Sequence, residues 1–337
     1  YTIVDLEDPA TALPTVSTPD SNRIESEHFV VEANREDGTL TILDKSAGLA
    51  FQGANRFVDG GDRGDEYTFC PPEADTIIDS PAAPPTVERE DDAVGCSLRV
   101  SLNLRVPRSL LGDDRSTRSE DLVDLPIISR ITLIHGVRRI EFETTVDNHA
   151  KDHRLRVHFP TPIVTESSWA ESQFDVVERP ITLPTGTEDW AEQPVGTHPQ
   201  LSFVDVSNGQ HGVLLANRGL PEYQVLPGSD EAPGTILALT LLRAVGWLSR
   251  ADLHNRVGHA GPAVTTPEAQ CLGSHTFHYA LVPHAGNYLT AYREAHAFNS
   301  PLRAVPAEVH EGPLPGSASF VEVWPSAVVI SALKHVE

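Results

Sequence analysis

The chain is dominated by short runs of strand-forming residues with no helical periodicity between them. Residues 28–33, 39–43, 97–106, 127–135, 139–146, 155–159, 201–206, 212–216, 235–242 and 276–281 all read this way. Clusters of Gly, Pro, Asn and Asp separate these runs, and such clusters favour turns over helices. The expected plan is therefore antiparallel and all-β. Glu36-Asp37-Gly38 and Asn208-Gly209 each lie between two runs and read as hairpin turns. In 139–146, Ile140, Phe142, Thr144 and Val146 alternate with Arg139, Glu141, Glu143 and Thr145. One face of that strand is expected in the core and the other in water.

Only 287–299 reads as a helix, with Leu289, Tyr292 and His296 at three- and four-residue spacing and Pro301 ending it. The expected organisation is a connecting segment over 1–22, a large β unit over 23–286, helix and linker over 287–316, and the first strands of a small β-domain over 317–337. Two acidic stretches, 88–92 and 112–124, read as solvated loops. The start at Tyr1 and the absence of methionine lead us to expect a fragment of a longer polypeptide.

With 48 acidic against 25 basic residues the net charge is -23, which repels nucleic acid and anionic lipid and leaves neutral or cationic ligands. No apolar run reaches the ~18 residues of a membrane span, and no signal-peptide pattern opens the chain. Three widely spaced cysteines, Cys70, Cys96 and Cys271, fit neither a disulfide framework nor a CxxC site, so reduced thiols and a cytoplasmic setting are expected.

Two stretches carry chemistry. In 55–72, NRFVDGGDRGDEYTFCPP, the acidic and glycine residues read as a tight loop that supplies positive φ and holds Tyr67 at the lip of a sheet. Asp62, Asp65 and Glu66 are too close in sequence to act as opposed acid and base, so turn chemistry is their expected role. In 249–273, Asp252 and Arg256 are expected to form a bidentate pair that leaves outer N–H groups free for ligand hydroxyls. A purely structural clamp has about even standing, and Gln270 is a weaker candidate. Fifteen histidines show no HxD, HxH or HExxH spacing, so no metal site is expected. There is no GxSxG elbow for serine catalysis. Trp190, Trp247 and Trp324 are of a kind that stacks on sugars, with core packing as the default.

Four segments together carry a resemblance: GDRGDEYTFCPP, IEFETTVDNHAKDHRLRVHFPTP, HPQLSFVDVSNGQHGVLLANRGLPEYQV and WLSRADLHNRVGHAGPAVTTPEAQCLGSHTFHYAL. In order and across nearly the whole chain, they resemble the C-terminal half of glycoside hydrolase family 38 α-mannosidases. The resemblance implies a β-supersandwich similar to galactose mutarotase, followed by the start of a small β-sandwich. It implies that the zinc ion, aspartate nucleophile and acid of a retaining mechanism sit in an N-terminal domain absent from these residues. This chain would then hold no catalytic residue, metal or cofactor and would be inactive alone. Tyr67 matches the family tyrosine whose hydroxyl lies near bound mannose, and Arg256, with Asp252 beside it, matches more loosely an arginine of the same pocket. The implied partners are a mannose-containing carbohydrate and the chain's own N-terminal domain, with exposed apolar surface or self-association where that domain would sit. The competing expectation is a stand-alone carbohydrate-binding or mutarotase-like module with its own His/Glu pair.

Overall fold

The computed structural model describes residues 21–229 and 233–303, with scattered positions between 305 and 330. The chain opens on a sheet of consecutive hairpins, β1 (Arg23–Glu25), β2 (Phe29–Ala33), β3 (Leu40–Asp44) and β4 (Leu49–Ala54). There follow β5 (Arg56–Gly61), β6 (Thr86–Asp91), β7 (Gly95–Pro107), and the short ribbon of β8 (Leu110–Leu111) and β9 (Thr117–Arg118). The long strands β10 (Leu122–Ile134), β11 (Ile140–Asn148) and β12 (His153–Thr161) come next. After them run β13 (Ser167–Ser172), β14 (Asp175–Pro180), β15 (Thr197–Pro199), β16 (Phe203–Ser207) and β17 (His211–Asn217). Among the described residues the last strands are β18 (Glu222–Pro227), β19 (Thr235–Ala244) and β20 (Gly273–Ala285), followed by helix α1 (Tyr292–Asn299).

The pairings are all antiparallel within two larger sheets. One has nine strands in the order β14-β13-β16-β17-β20-β11-β10-β7-β6, the other five in the order β15-β18-β19-β12-β5. The two sheets and the opening hairpins share one core, because β11, β12 and β20 each send alternate residues inward. Phe142 and Tyr279 stack with centroids 5.1 Å apart and Phe159 meets both edge-on. Full burial of each such ring stabilises the fold by roughly 1.5–3 kcal/mol. A buried phenol also needs a partner, and the Tyr279 hydroxyl donates to Asn55 Oδ1 at 2.9 Å and lies 2.7 Å from Thr144 Oγ1. Asn55 sits at the corner where β4 turns into β5, so the core network fixes the strand that leads to the Tyr67 loop.

The alternation expected in 139–146 is present, with Ile140, Phe142, Thr144 and Val146 buried. Both hairpin turns form, with Gly38 and Gly209 at φ of 77° and 86°. The helix is confined to α1 and a preceding 3-10 turn over Tyr288–Thr290.

Three expectations are corrected. Residues 88–92 are not a solvated loop: 88–91 lie in β6, the edge of the nine-stranded sheet, where exposed and half-buried residues alternate. A charged edge strand protects against pairing with another chain, which is why its composition resembles that of a loop. The stretch 112–124 is likewise only partly loop, since it contains β9 and the start of β10. Asp59, Gly60 and Gly61 belong to β5 and not to a turn.

At the C-terminal end, the described positions 318–325 and 328–330 lie in no strand, and the remainder of 317–337 falls outside the described residues. The expected connecting segment 1–22 is outside them too, except for its last two residues.

Candidate functional site at one end of the five-stranded sheet

Three long connections meet where β5, β12 and β19 come together: 62–85 after β5, 181–196 after β14, and 245–272 after β19. Backbone bonds stitch them to one another. Glu66 N donates to Trp247 O, Gln193 N to Asn255 O, and Val257 N to Ala191 O. Side chains add Thr68 Oγ1 donating to Glu192 Oε1 at 3.0 Å and Asn255 Nδ2 to Phe69 O at 2.8 Å. The β8–β9 ribbon approaches the same corner through Arg115.

Asp65 is the hub. It is fully buried, and its carboxylate accepts from the backbone N–H of Tyr67 at 3.0 Å, Thr68 at 2.9 Å and Arg250 at 2.8 Å. Arg256 closes on it in a two-point pair, Nη1 to Oδ1 at 3.2 Å and Nη2 to Oδ2. Burial pushes the Asp65 carboxyl up, but the bonds from Arg256 and from the Arg250 and Thr68 N–H groups outweigh it, and the net direction is downward. Asp62 has the same role three residues earlier, accepting from Gly64 N at 2.9 Å and Arg243 Nε at 2.8 Å. Asp62 and Asp65 thus do the turn chemistry expected of them, whereas Glu66 is exposed and joins the loop through its backbone N–H.

The glycines serve a different purpose from the one expected. Gly64 is not at positive φ. A Cβ there would lie 2.1 Å from Thr68 O and 2.9 Å from Cys70 N, so close backbone approach dictates the residue.

The expected pair of Asp252 with Arg256 does not form. Arg256 is only 6% exposed, and beyond Asp65 its guanidinium donates to Thr68 Oγ1, Arg250 O and Gly258 O. No outer N–H edge is left for a ligand hydroxyl, and the carboxylate expected beside it belongs to another arginine. Asp252 is held by Arg250, Nε to Oδ1 at 2.7 Å and Nη2 to Oδ2 at 2.6 Å, which keeps its carboxyl at about 2. Gln270 is also structural, bonded to the N–H and carboxylate of Asp152.

Tyr67 emerges from this clamp 55% exposed. Its phenol lies against Gly261, whose N–H, with that of Ala260, donates to Ser249 Oγ. A Cβ on Gly261 would stand 2.8 Å from the Tyr67 hydroxyl. Gly261→Ala is therefore expected to displace the phenol while changing stability by no more than about 0.5 kcal/mol, since the obstructing group is an exposed, mobile side chain. The Tyr67 ring resonances and a denaturant titration check both outcomes.

Ser249, which accepts from the Gly261 against which Tyr67 rests, also lines a cleft of about 430 Å³ with Trp247, Arg250, Asp252 and His259. The Arg250 guanidinium sits over the Trp247 ring, 5.2 Å from its centroid. Trp247 thus faces the cleft, and Trp190 and Trp324 are exposed, so core packing holds for none of the three. Sequence reasoning does not single out Arg250 or Arg115; the only signal is the cationic character of SRADLHNR within a strongly acidic chain.

Comparison with known proteins decides the family. Residues 24–252 match the glycosyl hydrolases family 38 C-terminal domain. The chain belongs to that family. An α-mannosidase structure from Enterococcus faecalis superposes with a TM-score of 0.76 at 32% identity, covering 88% of this chain and 33% of the other. A protein of Halalkalibacterium halodurans named for mannosylglycerate hydrolysis is 28% identical over 95% of this chain and 35% of its own length. Alpha-mannosidase 2C1 of Mus musculus is 30% identical over 61% of this chain and 17% of its own. This family 38 domain therefore spans about a third or less of the relatives it matches.

Among the described residues no group of three His, Cys, Asp or Glu side chains is assembled that could hold a metal ion.

Proposed function

We propose that this family 38 domain is the β portion of a larger retaining α-mannosidase, cytoplasmic as its free thiols suggest, and that it completes a substrate pocket whose nucleophile, acid and zinc ion come from elsewhere in the polypeptide. The observation that carries this reading is the presentation of Tyr67. A buried ionic clamp holds its backbone while the phenol remains exposed, which is how a scaffold offers a loop residue to a ligand. Family membership and the short span of this chain against its relatives support the same reading. The exposed apolar residues Trp190, Val257 and Val264 on the same loops offer a surface for the rest of the polypeptide to cover.

In the full-length enzyme, Tyr67→Phe is expected to lower kcat/KM for an aryl α-mannoside by about 10- to 100-fold, the loss of one well-placed hydrogen bond of ~1.5–3 kcal/mol. Folding stability should be unchanged. The 337-residue chain alone is expected to release no mannose. Unaltered turnover in the variant would reduce the domain to a scaffold.

The stand-alone mutarotase-like reading needs a working His/Glu pair on the outward face of the five-stranded sheet. His158 is there, with Arg154, Arg156 and Glu222. Glu222 accepts from Arg154 and Thr240, and burial followed by the charges of Arg156, Arg154 and Arg56 pushes the His158 ring down to about 3. A base so weakened is poorly suited to proton abstraction at neutral pH.

A further inference from the structure

The outward face of the five-stranded sheet carries a positive charge that nothing on it balances. Arg56, Arg154, Arg156 and Arg243 all stand on this face, in a chain whose net charge is -23. Three of them meet a carboxylate: Arg56 reaches Asp37 at 3.6 Å, Arg154 reaches Glu222 at 3.3 Å, and Arg243 reaches Asp62 at 2.8 Å. Among the described residues, Arg156 meets none. Half-buried on β12, it crosses β19 and donates through Nη1 to Gln224 Oε1 of β18 at 2.7 Å, its one hydrogen bond among the described residues. Burial first, and then the charge of Arg154, pulls the Arg156 guanidinium down to about 9, with Glu222 opposing less. A guanidinium so placed lacks both its water and a counter-charge.

The next position on the same face shows a second, independent deficit. His158 is only 8% exposed, and its Nε2 is buried without a partner. Such groups are uncommon in folded chains. In register, Gln224, the small Ala238, His158 and Arg56 form one row across β18, β19, β12 and β5. A guanidinium with unused N–H groups, an imidazole and a carboxamide therefore gather around Ala238 with no acceptor between them. Past His158 the same face of β12 continues to Pro160, opposite Ile236. There a largely apolar cleft of about 630 Å³ opens, lined by Arg56, Pro160, Pro162, Pro227 and Ile236 among others. An anion held at the row would thus have room beside it for an organic group. The donors stand on two strands that flank a third, about 10 Å apart. That spread suits the divergent oxygens of a phosphoryl group better than the coplanar pair of a carboxylate, which matches a single fork. The acidity of the whole chain does not forbid this, since charges beyond ~8 Å are largely screened at physiological salt.

We propose that this face binds an organic phosphate monoester, its phosphoryl group held by Arg156, His158 and Gln224 and its organic part seated in the adjoining cleft. The site uses none of the Tyr67 loop and stands whether or not the parent enzyme acts on mannosides. It also fixes a sign: without ligand, Arg156 is a liability to the fold, and with ligand it is the main hold.

The test titrates the 337-residue chain with phenyl phosphate, inorganic phosphate and benzoate at constant ionic strength, followed by calorimetry and by NMR of the histidine ring signals. Phenyl phosphate is expected to bind most tightly, one per chain, and to move the His158 signals. Arg156→Gln should weaken it by about tenfold or more, the loss of a charge-assisted bond. Arg99→Gln, which removes the same charge from an exposed pair on β7, should leave the affinity unchanged. Denaturant titration without ligand gives a separate readout, in which Arg156→Gln should be at least as stable as wild type because the unbalanced charge is gone. Absence of binding, unmoved His158 signals, equal weakening by Arg99→Gln, or a marked loss of stability in Arg156→Gln would overturn the site. Benzoate binding as tightly as phenyl phosphate would overturn the phosphoryl assignment, and inorganic phosphate binding as tightly would overturn the part given to the cleft.

Discussion

Asp65→Ala is expected to destabilise the protein by about 3–5 kcal/mol, the usual cost of removing one partner of a buried ion pair. The substitution orphans more than Arg256. The backbone N–H groups of Tyr67, Thr68 and Arg250 lose their acceptor together, and the two connections keep only the bonds that do not run through this carboxylate, such as Glu66 N to Trp247 O and Asn255 Nδ2 to Phe69 O. Arg256→Ala should cost a similar amount by stranding the Asp65 charge. The double variant should cost clearly less than the sum, because both single changes break the same pair. Guanidinium denaturation of the four proteins measures this cycle, and a cost below about 1 kcal/mol for Asp65→Ala would show that the clamp is dispensable. Since the folded Asp65 carboxyl lies below its ordinary value, its contribution is fully present above about pH 4 and is lost as pH falls through the folded value.

Acid should weaken the fold earlier through His158, the second large effect. The residue is buried on β12 with Nε2 unpartnered, and its folded value near 3 lies far below the ordinary 6.5. Between those values the unfolded chain binds a proton that the native ring refuses. The stabilisation is therefore complete above pH 6.5 and declines as pH drops, by about 1.4 kcal/mol per unit. From about pH 6.5 to 5, before most carboxylates titrate, the loss is about 2 kcal/mol. His158→Phe keeps the ring volume and removes the titration. The difference between wild-type and variant stability should consequently change by that amount across the window, and a parallel pair of curves would contradict the assignment. His198, also displaced downward by burial and then by Arg179, contributes in the same sense and cancels in the comparison.

What could be read from the sequence was whatever has a local signature. The central strands announce themselves through alternation, as in β11, and the hairpins through Asp-Gly and Asn-Gly. Tyr67 was recognisable because its loop concentrates turn-forming acids within a few residues. Strand β6 escapes such reading because an edge strand is charged for reasons of neighbourly protection, and charge alone looks like solvent exposure. The partner of Arg256 is hidden for a different reason. Asp252 is four residues away and Asp65 is 191, and nothing local distinguishes a near carboxylate pointing outward from a distant one folded underneath. Arg115 gives no signal at all, since an isolated arginine in a polar turn carries no sign of being buried.

The separation between Asp65 and Arg256 also sets an order of events. Tyr67 cannot acquire its final pose until the chain has been made past residue 256 and the two ends of the clamp have met across almost the whole β unit. Contacts of such long range form late, after the hairpins and neighbouring strand pairs are in place. The rim that presents Tyr67 is thus completed only on an already assembled scaffold, and a nascent chain halted before residue 256 would carry most of its strands yet lack the arginine that closes the clamp.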